Sequence, residues 1–262
     1  MELVRGKKEI LLSVGEFASF RLFPNSPSQY SPSISRLEEG RKLHNSVQNQ
    51  SSQQNDKIQH EVTIKRDWQH KGWKFRLHGR IDSVHLCEES KTVTITEIKS
   101  TSHELPQSIG WISDHYPEYI GQLATYLFLY QNNPVFKDWE IQGVFHWIQT
   151  ATQKQSSILF EIDPENIVLN LFHKIHPFLE NRWERFHKVR TLTINTPYEK
   201  WREGQEDALQ KLESSLWQRP ITCFEAPTGF GKTGVTSHLA IKNLQAGMID
   251  KVLYLTGKST GQ

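Results

Sequence analysis

Three runs of alternating apolar and polar residues lie close together: EVTIKRDW at 61–68, WKFRLHGRIDSVHL at 73–86 and KTVTITEIK at 91–99. Successive side chains of a strand point to opposite faces, so a period of two fits a half-buried strand and not a helix. The links between the runs, QHKG and CEES, are short and polar. This spacing predicts antiparallel strands joined by tight turns. Charges stand at the strand ends, where apolar residues would pack better: Asp82 in one run, Glu97 and Lys99 in the next.

Ahead of these strands, QYSPSISRLEEGRKL at 29–43 predicts a helix, with serines at its start and Ile34, Leu37, Arg41 and His44 along one stripe. The polar stretch 45–57 predicts a long loop or a frayed helix end. After the strands, 103–131 contains a helix with Pro117 in its first turn. Two more strands are expected at 139–150 and 156–162. A long helix follows at 163–190, with Asp163 as N-cap and Pro164 behind it; Pro177 is expected to kink or break it.

TLTINTP at 191–197 reads as a linker. Beyond it the pattern predicts a helix at 198–218, a buried strand at 221–226, a glycine-containing loop, a helix at 233–245 and a second buried strand at 251–256. That is a βαβ unit, the start of an α/β domain.

The 262 residues, 36% of them hydrophobic, suffice for one large domain or two smaller ones. A formal net charge of +2 confines any nucleic-acid surface to a local patch. RWERFHKVR at 182–190 is a candidate phosphate-contacting face, with a merely solvated helix face as the equal alternative. No run approaches the ~18 apolar residues of a membrane span. The N-terminus lacks the long apolar segment and cleavage site of a signal peptide. Cys87 and Cys223 build neither a disulfide framework nor a four-cysteine metal site. A reducing, cytoplasmic setting without membrane contact is the expectation.

Carboxylates at adjoining strand ends suit a hard divalent cation such as Mg²⁺. Asp82 and Glu97 could hold it, and Lys99 could stabilise charge developing on a phosphate. Glu97 and Lys99 share strand parity, so both face one side. Alternation places Phe75, Leu77 and Ile81 on the face opposite Asp82, and a bulge at Gly79 would re-aim it. The competing reading of Glu-x-Lys is a solvated strand face. In GRKLH, Gly40 and His44 lie four apart on one helix face, with room beside an imidazole that could ligate a metal or simply be half-buried. In QLATY, Gln122 and Tyr126 also share a face; a core aromatic is the alternative for Tyr126.

Together and in this order, GRKLH, GRID, EIK and QLATY resemble the four motifs of the RecB-like branch of PD-(D/E)XK nucleases, over about residues 30–190. The resemblance implies a restriction-endonuclease-like mixed sheet flanked by helices, spanning 1–190, and metal-dependent cleavage of DNA, single-stranded or at duplex ends. It implies His44, Asp82, Glu97 and the Ile98 carbonyl as ligands of Mg²⁺ or Mn²⁺, and Lys99 as the catalytic lysine. Gln122 and Tyr126 would orient the nucleic acid and the catalytic groups. Several relatives carry four cysteines for an iron–sulfur cluster; with two cysteines, none is expected here.

EAPTGFGKT at 225–233 follows an apolar run and opens a helix. Backbone N–H groups of such a loop, here including Thr228, Gly229 and Gly231, cradle phosphates at a helix N-terminus. Lys232 would reach the β- and γ-phosphates of ATP, and Thr233 would bind Mg²⁺. The competing reading is a glycine-rich turn. With YEKWREGQ upstream, where Gln205 would read adenine, and KVLYLTGKSTGQ downstream, residues 196–262 resemble the start of an XPD/DinG-type superfamily-2 helicase. The expectation is a nuclease joined to the N-terminal part of an ATP-dependent DNA helicase. The rival is a nuclease-like fold that only holds DNA for the helicase. Some of the eight tryptophans and thirteen phenylalanines could stack on bases, but sequence does not sort them from core residues.

Overall fold

A computed structural model describes residues 1–4, 6–21, 57–195 and 199–255. The helix expected at 29–43, Gly40 and His44 within GRKLH, all but the last residue of the loop at 45–57, Tyr198 and the end of the chain from 256 lie outside the described residues. Contacts divide the chain into two compact units, Met1–Leu179 and Glu180–Gln262. The first is an α/β unit with a mixed sheet flanked by helices.

Its described strands are β1 (Glu2–Leu3), β2 (Glu9–Ser13), β3 (Ile58–His70), β4 (Trp73–Cys87), β5 (Thr92–Thr101), β6 (Glu140–Gln149) and β7 (Gln155–Leu159). They run in the order β1-β2-β4-β5-β6-β7, with β3 on β4. The pairs β2–β4 and β5–β6 are parallel and the others antiparallel. β3 and β4 join through Lys71 and Gly72, both at positive φ, which suits a two-residue hairpin whose twist matches its strands.

The helices of this unit are α1 (Val14–Ala18), α2 (Ile109–His115), α3 (Pro117–Gln131) and the first part of α4 (Pro164–Arg190), whose residues from Glu180 on belong to the second unit. Sequence reading missed β2 and α1. Yet Ile10, Leu12, Val14 and Phe17 are fully buried, and α1 opens with a capping box between Ser13 and Glu16. That S-x-x-E spacing was the available signal. Phe17 packs on Phe75 of β4 and Phe172 of α4, with ring centroids 6.2 and 4.8 Å away. α3 is buried nearly all round, as a helix inside a core must be.

Asp163 accepts the Glu165 N–H at 3.0 Å, as expected of a cap. Pro177 does not break α4, which continues to Arg190. Phe172, Ile175 and Leu179 are buried on both sides of it, so packing holds the helix across the missing backbone donor.

The second unit contains α5 (Gln205–Leu216) and α6 (Lys232–Gln245) around Leu209, Leu212, Val235 and Leu239. The buried strands expected at 221–226 and 251–256 are not found among the described residues: both runs lack strand structure there. Ile221 is 78% exposed and Leu255 81%. A strand exists through its ladder and is buried only when layers cover it, and neither run has a ladder partner among those residues. Among the described residues, no helix is long and apolar enough to cross a membrane.

Candidate active site at a fork in the sheet

β4 changes neighbours along its length. Lys74–His78 pair with β2, and Ser83–Cys87 pair with β5. Between them, Gly79, Arg80, Ile81 and Asp82 face a fork where those two strands part. Backbone groups at such a gap need other partners. The Tyr126 hydroxyl, brought by α3, donates to the Arg80 carbonyl at 3.1 Å. The Asp82 carboxylate accepts the Ile98 N–H at 2.8 Å, just past the last β4–β5 pair.

Gly79 is not a bulge. The β3–β4 register runs through it unshifted, with Ile64 opposite. Its role is steric: a Cβ there would stand 2.7 Å from Tyr126 Oη. The glycine of GRID and the tyrosine of QLATY therefore interlock. No bulge sits at Asp82 either: Val62 opposite Ile81 and His60 opposite Ser83 keep one register on both sides of it. Ile81 and Val84, of opposite parity, are both buried, so both faces of β4 are covered there. There the ladder with β3 omits Glu61 opposite Asp82, and Glu61 has a φ of 51°. Asp82 thus shares the face of Val84, whose β5 partner Ile95 has the parity of Glu97.

Glu97 is 2% exposed. Its Oε1 accepts a hydrogen bond from Lys99 Nζ at 2.6 Å, and its Oε2 is buried with no hydrogen-bond partner. Burial pushes the Glu97 carboxyl up to about 7; Lys99 opposes the rise and the Asp82 charge adds to it. Burial alone would push the Lys99 pKa down, but the Glu97 charge and hydrogen bond outweigh it and hold it above the ordinary lysine value. Lys99 also donates to Gln122 Oε1 at 3.4 Å and lies 4.5 Å from the Tyr119 ring centroid. Burial, then the Glu97 charge, push the Tyr126 hydroxyl up to about 12, so it stays a protonated donor.

Asp82, Glu97, Lys99, Gln122 and Tyr126 therefore meet in one place, with Ile98 as the backbone link. Sequence reasoning missed Tyr119, which lies three residues before Gln122 and seven before Tyr126 on the same helix face; that spacing was the legible signal. A divalent metal fits what is present: two carboxylates of suitable hardness, one with an orphaned buried oxygen. Among the described residues, no group of three or more His, Cys, Asp or Glu side chains is arranged to hold a metal.

In the second unit, Gly229 and Gly231 take positive φ, and Gly231 caps α6. Thr228, Lys232 and Thr233 are exposed. Lys232 Nζ donates to the carbonyls of Ala226 at 2.6 Å and Pro227 at 3.1 Å, folded over its own loop. Gln205 is fully buried. Its amide donates to the Phe230 carbonyl and accepts the Arg202 N–H, and Arg202 donates to the Gly229 carbonyl at 2.8 Å. Gln205 and Arg202 thus brace the loop from behind.

No family model matches the chain. No curated protein matches it either. Among solved structures, it is similar to one titled "Crystal structure of SSO0001", at 19% identity and a TM-score of 0.41, over 70% of this chain and 83% of that one.

Proposed function

We propose that the first unit is a divalent-metal-dependent deoxyribonuclease and that the second binds the phosphates of ATP, as part of an ATP-dependent DNA helicase. One observation carries the nuclease reading: a buried carboxylate, Glu97, offers an unpartnered oxygen beside Asp82 while its other oxygen holds Lys99. A core built only for packing has no use for that oxygen, because an unsatisfied buried polar atom costs about 1–3 kcal/mol.

Asp82 and Glu97 would hold the metal, together with His44 and the Ile98 carbonyl in the RecB-like pattern. When bound, the metal supplies Lewis-acid activation of water and phosphate. The residues of the chain do the rest. Lys99, cationic at neutral pH and close to Glu97, neutralises charge that grows on the phosphate as the P–O bond breaks. Gln122 positions the lysine, and Tyr126 keeps the fork in register through Arg80. In the second unit, the 227–233 loop would receive phosphates once Lys232 swings off the Ala226 and Pro227 carbonyls, with Thr233 on Mg²⁺.

The test is cleavage of labelled DNA in Mg²⁺ or Mn²⁺. Asp82→Ala and Glu97→Ala are expected to abolish cleavage while DNA binding in EDTA persists. Lys99→Ala should lower turnover on the order of a hundredfold or more. Normal cleavage by the Asp82 or Glu97 variant would overturn the assignment. DNA binding by a parent protein that never cleaves would favour the binding-module reading.

A further inference from the structure

Aromatic residues of α2, of α3 and of the residue between them, Tyr116, form a strip that starts at the candidate active site. The Lys99 ammonium lies over Tyr119, 4.5 Å from its centroid. Tyr119 stacks with Tyr116, at 5.1 Å and an interplanar angle of 13°. Trp111 follows at 5.8 Å from Tyr116 and stacks on His115 at 4.0 Å and 11°. Trp147 of β6 is fully buried beneath, 5.6 Å from Tyr116 and 6.1 Å from Tyr119. Rings that only closed the core would be buried as Trp147 is. Trp111, Tyr116 and Tyr119 are instead half-buried, and His115 is exposed.

We infer that Trp111, Tyr116 and Tyr119 are a stacking platform for the unpaired bases of single-stranded DNA, next to the phosphate held at Lys99. This rests on the nuclease reading and names its substrate as a single strand. Every base has a π-face, so aromatic stacking favours unpaired bases without selecting a sequence, whereas a blunt duplex hides those faces. Continuity with Lys99 commits the strip to this occupant. The cation marks where a backbone phosphate sits, and the first ring, Tyr119, has its centroid 4.5 Å from it. The buried Trp147 holds Tyr116 and Tyr119 in place, so the platform exists before the strand arrives.

The test measures binding of a fluorescent oligonucleotide to the full chain in EDTA, so that cleavage plays no part. One arm uses a single strand and the other a blunt duplex of the same sequence. The parent is expected to prefer the single strand. Trp111→Ala/Tyr116→Ala should weaken single-strand binding at least tenfold and duplex binding much less. Trp111→Phe/Tyr116→Phe, which keeps both rings, should restore it. Equal losses on both substrates, no loss, or no preference in the parent would overturn the platform. Should the alanine variant not fold, the parent with a 2-aminopurine strand decides: a fluorescence change on binding that a duplex does not give supports stacking, and its absence overturns it. A parent that shows the preference but never cleaves in Mg²⁺ or Mn²⁺ would refute the nuclease reading and leave the platform standing.

Discussion

Glu97 concentrates the tension of the candidate site in one side chain. Its carboxyl is pushed up to about 7 from an ordinary value near 4.5, so the folded protein binds a proton there that the unfolded chain has already released. The folded state therefore keeps its advantage below the unfolded pKa and loses it as pH rises through about 7. In metal-free buffer, stability should fall between about pH 5 and 8 by on the order of 1–3 kcal/mol from this group. Urea unfolding of Glu97→Gln/Lys99→Met, which removes both charges and leaves neither buried alone, should lack that component. At Gly79 the constraint is purely steric. Gly79→Ala would bring a Cβ to 2.8 Å from Tyr126 Cε1 and should destabilise the protein by about 1–3 kcal/mol. In that background Tyr126→Ala should cost less than in the parent, a coupling that a double-mutant cycle reads directly.

Helix α1 is short, and its stability comes from its ends and its one buried face. Ser13 accepts the Glu16 N–H at 3.1 Å, and Glu16 accepts the Ser13 N–H at 2.8 Å. Ser13→Ala should therefore lower stability by about 1 kcal/mol, visible as a lower thermal midpoint. The loss would reach the core, because α1 carries Phe17 onto Phe75 and Phe172. In α4, Pro177 leaves one carbonyl without its helical donor. Pro177→Ala, which restores the donor, is expected to raise the thermal midpoint.

The whole molecule places its two candidate chemistries in separate compact units: the carboxylates before Leu179, the candidate phosphate-binding loop after Glu180. The variants should therefore separate function. Lys232→Ala is expected to lose binding of a fluorescent ATP analogue, since the loop loses its one side chain able to reach the β- and γ-phosphates. Asp82→Ala should lose DNA cleavage and keep analogue binding. DNA affinity should fall steeply with added salt, because phosphate contacts release counterions, and a titration from about 50 to 200 mM salt checks it.

Alternation over a few neighbours sufficed to place β3, β4, β5 and β6, and the Asp-Gly-Lys-Thr vocabulary of caps and loops sufficed for α4 and the 225–233 loop. Those signals are local: each depends on residues two to four apart. The order of four short motifs likewise named Asp82, Glu97, Lys99, Gln122 and Tyr126 before any of them had a position in space. Only the tertiary structure decided what they touch. Tyr126 reaches Arg80 across 46 residues, and Asp82 reaches Ile98 across 16. The fork beside Asp82 arises where β2 and β5 part, which no window on β4 alone contains. Apolar runs at 221–226 and 251–256 read as buried strands, but burial belongs to the layers around a strand and not to its own residues. The aromatics, too, were sorted only by packing: Trp147 went inside, and Trp111, Tyr116 and Tyr119 stayed half-buried, with Tyr119 beside Lys99. A chain encodes its local geometry residue by residue, while pairing, burial and charge state emerge only when distant segments remove one another from water.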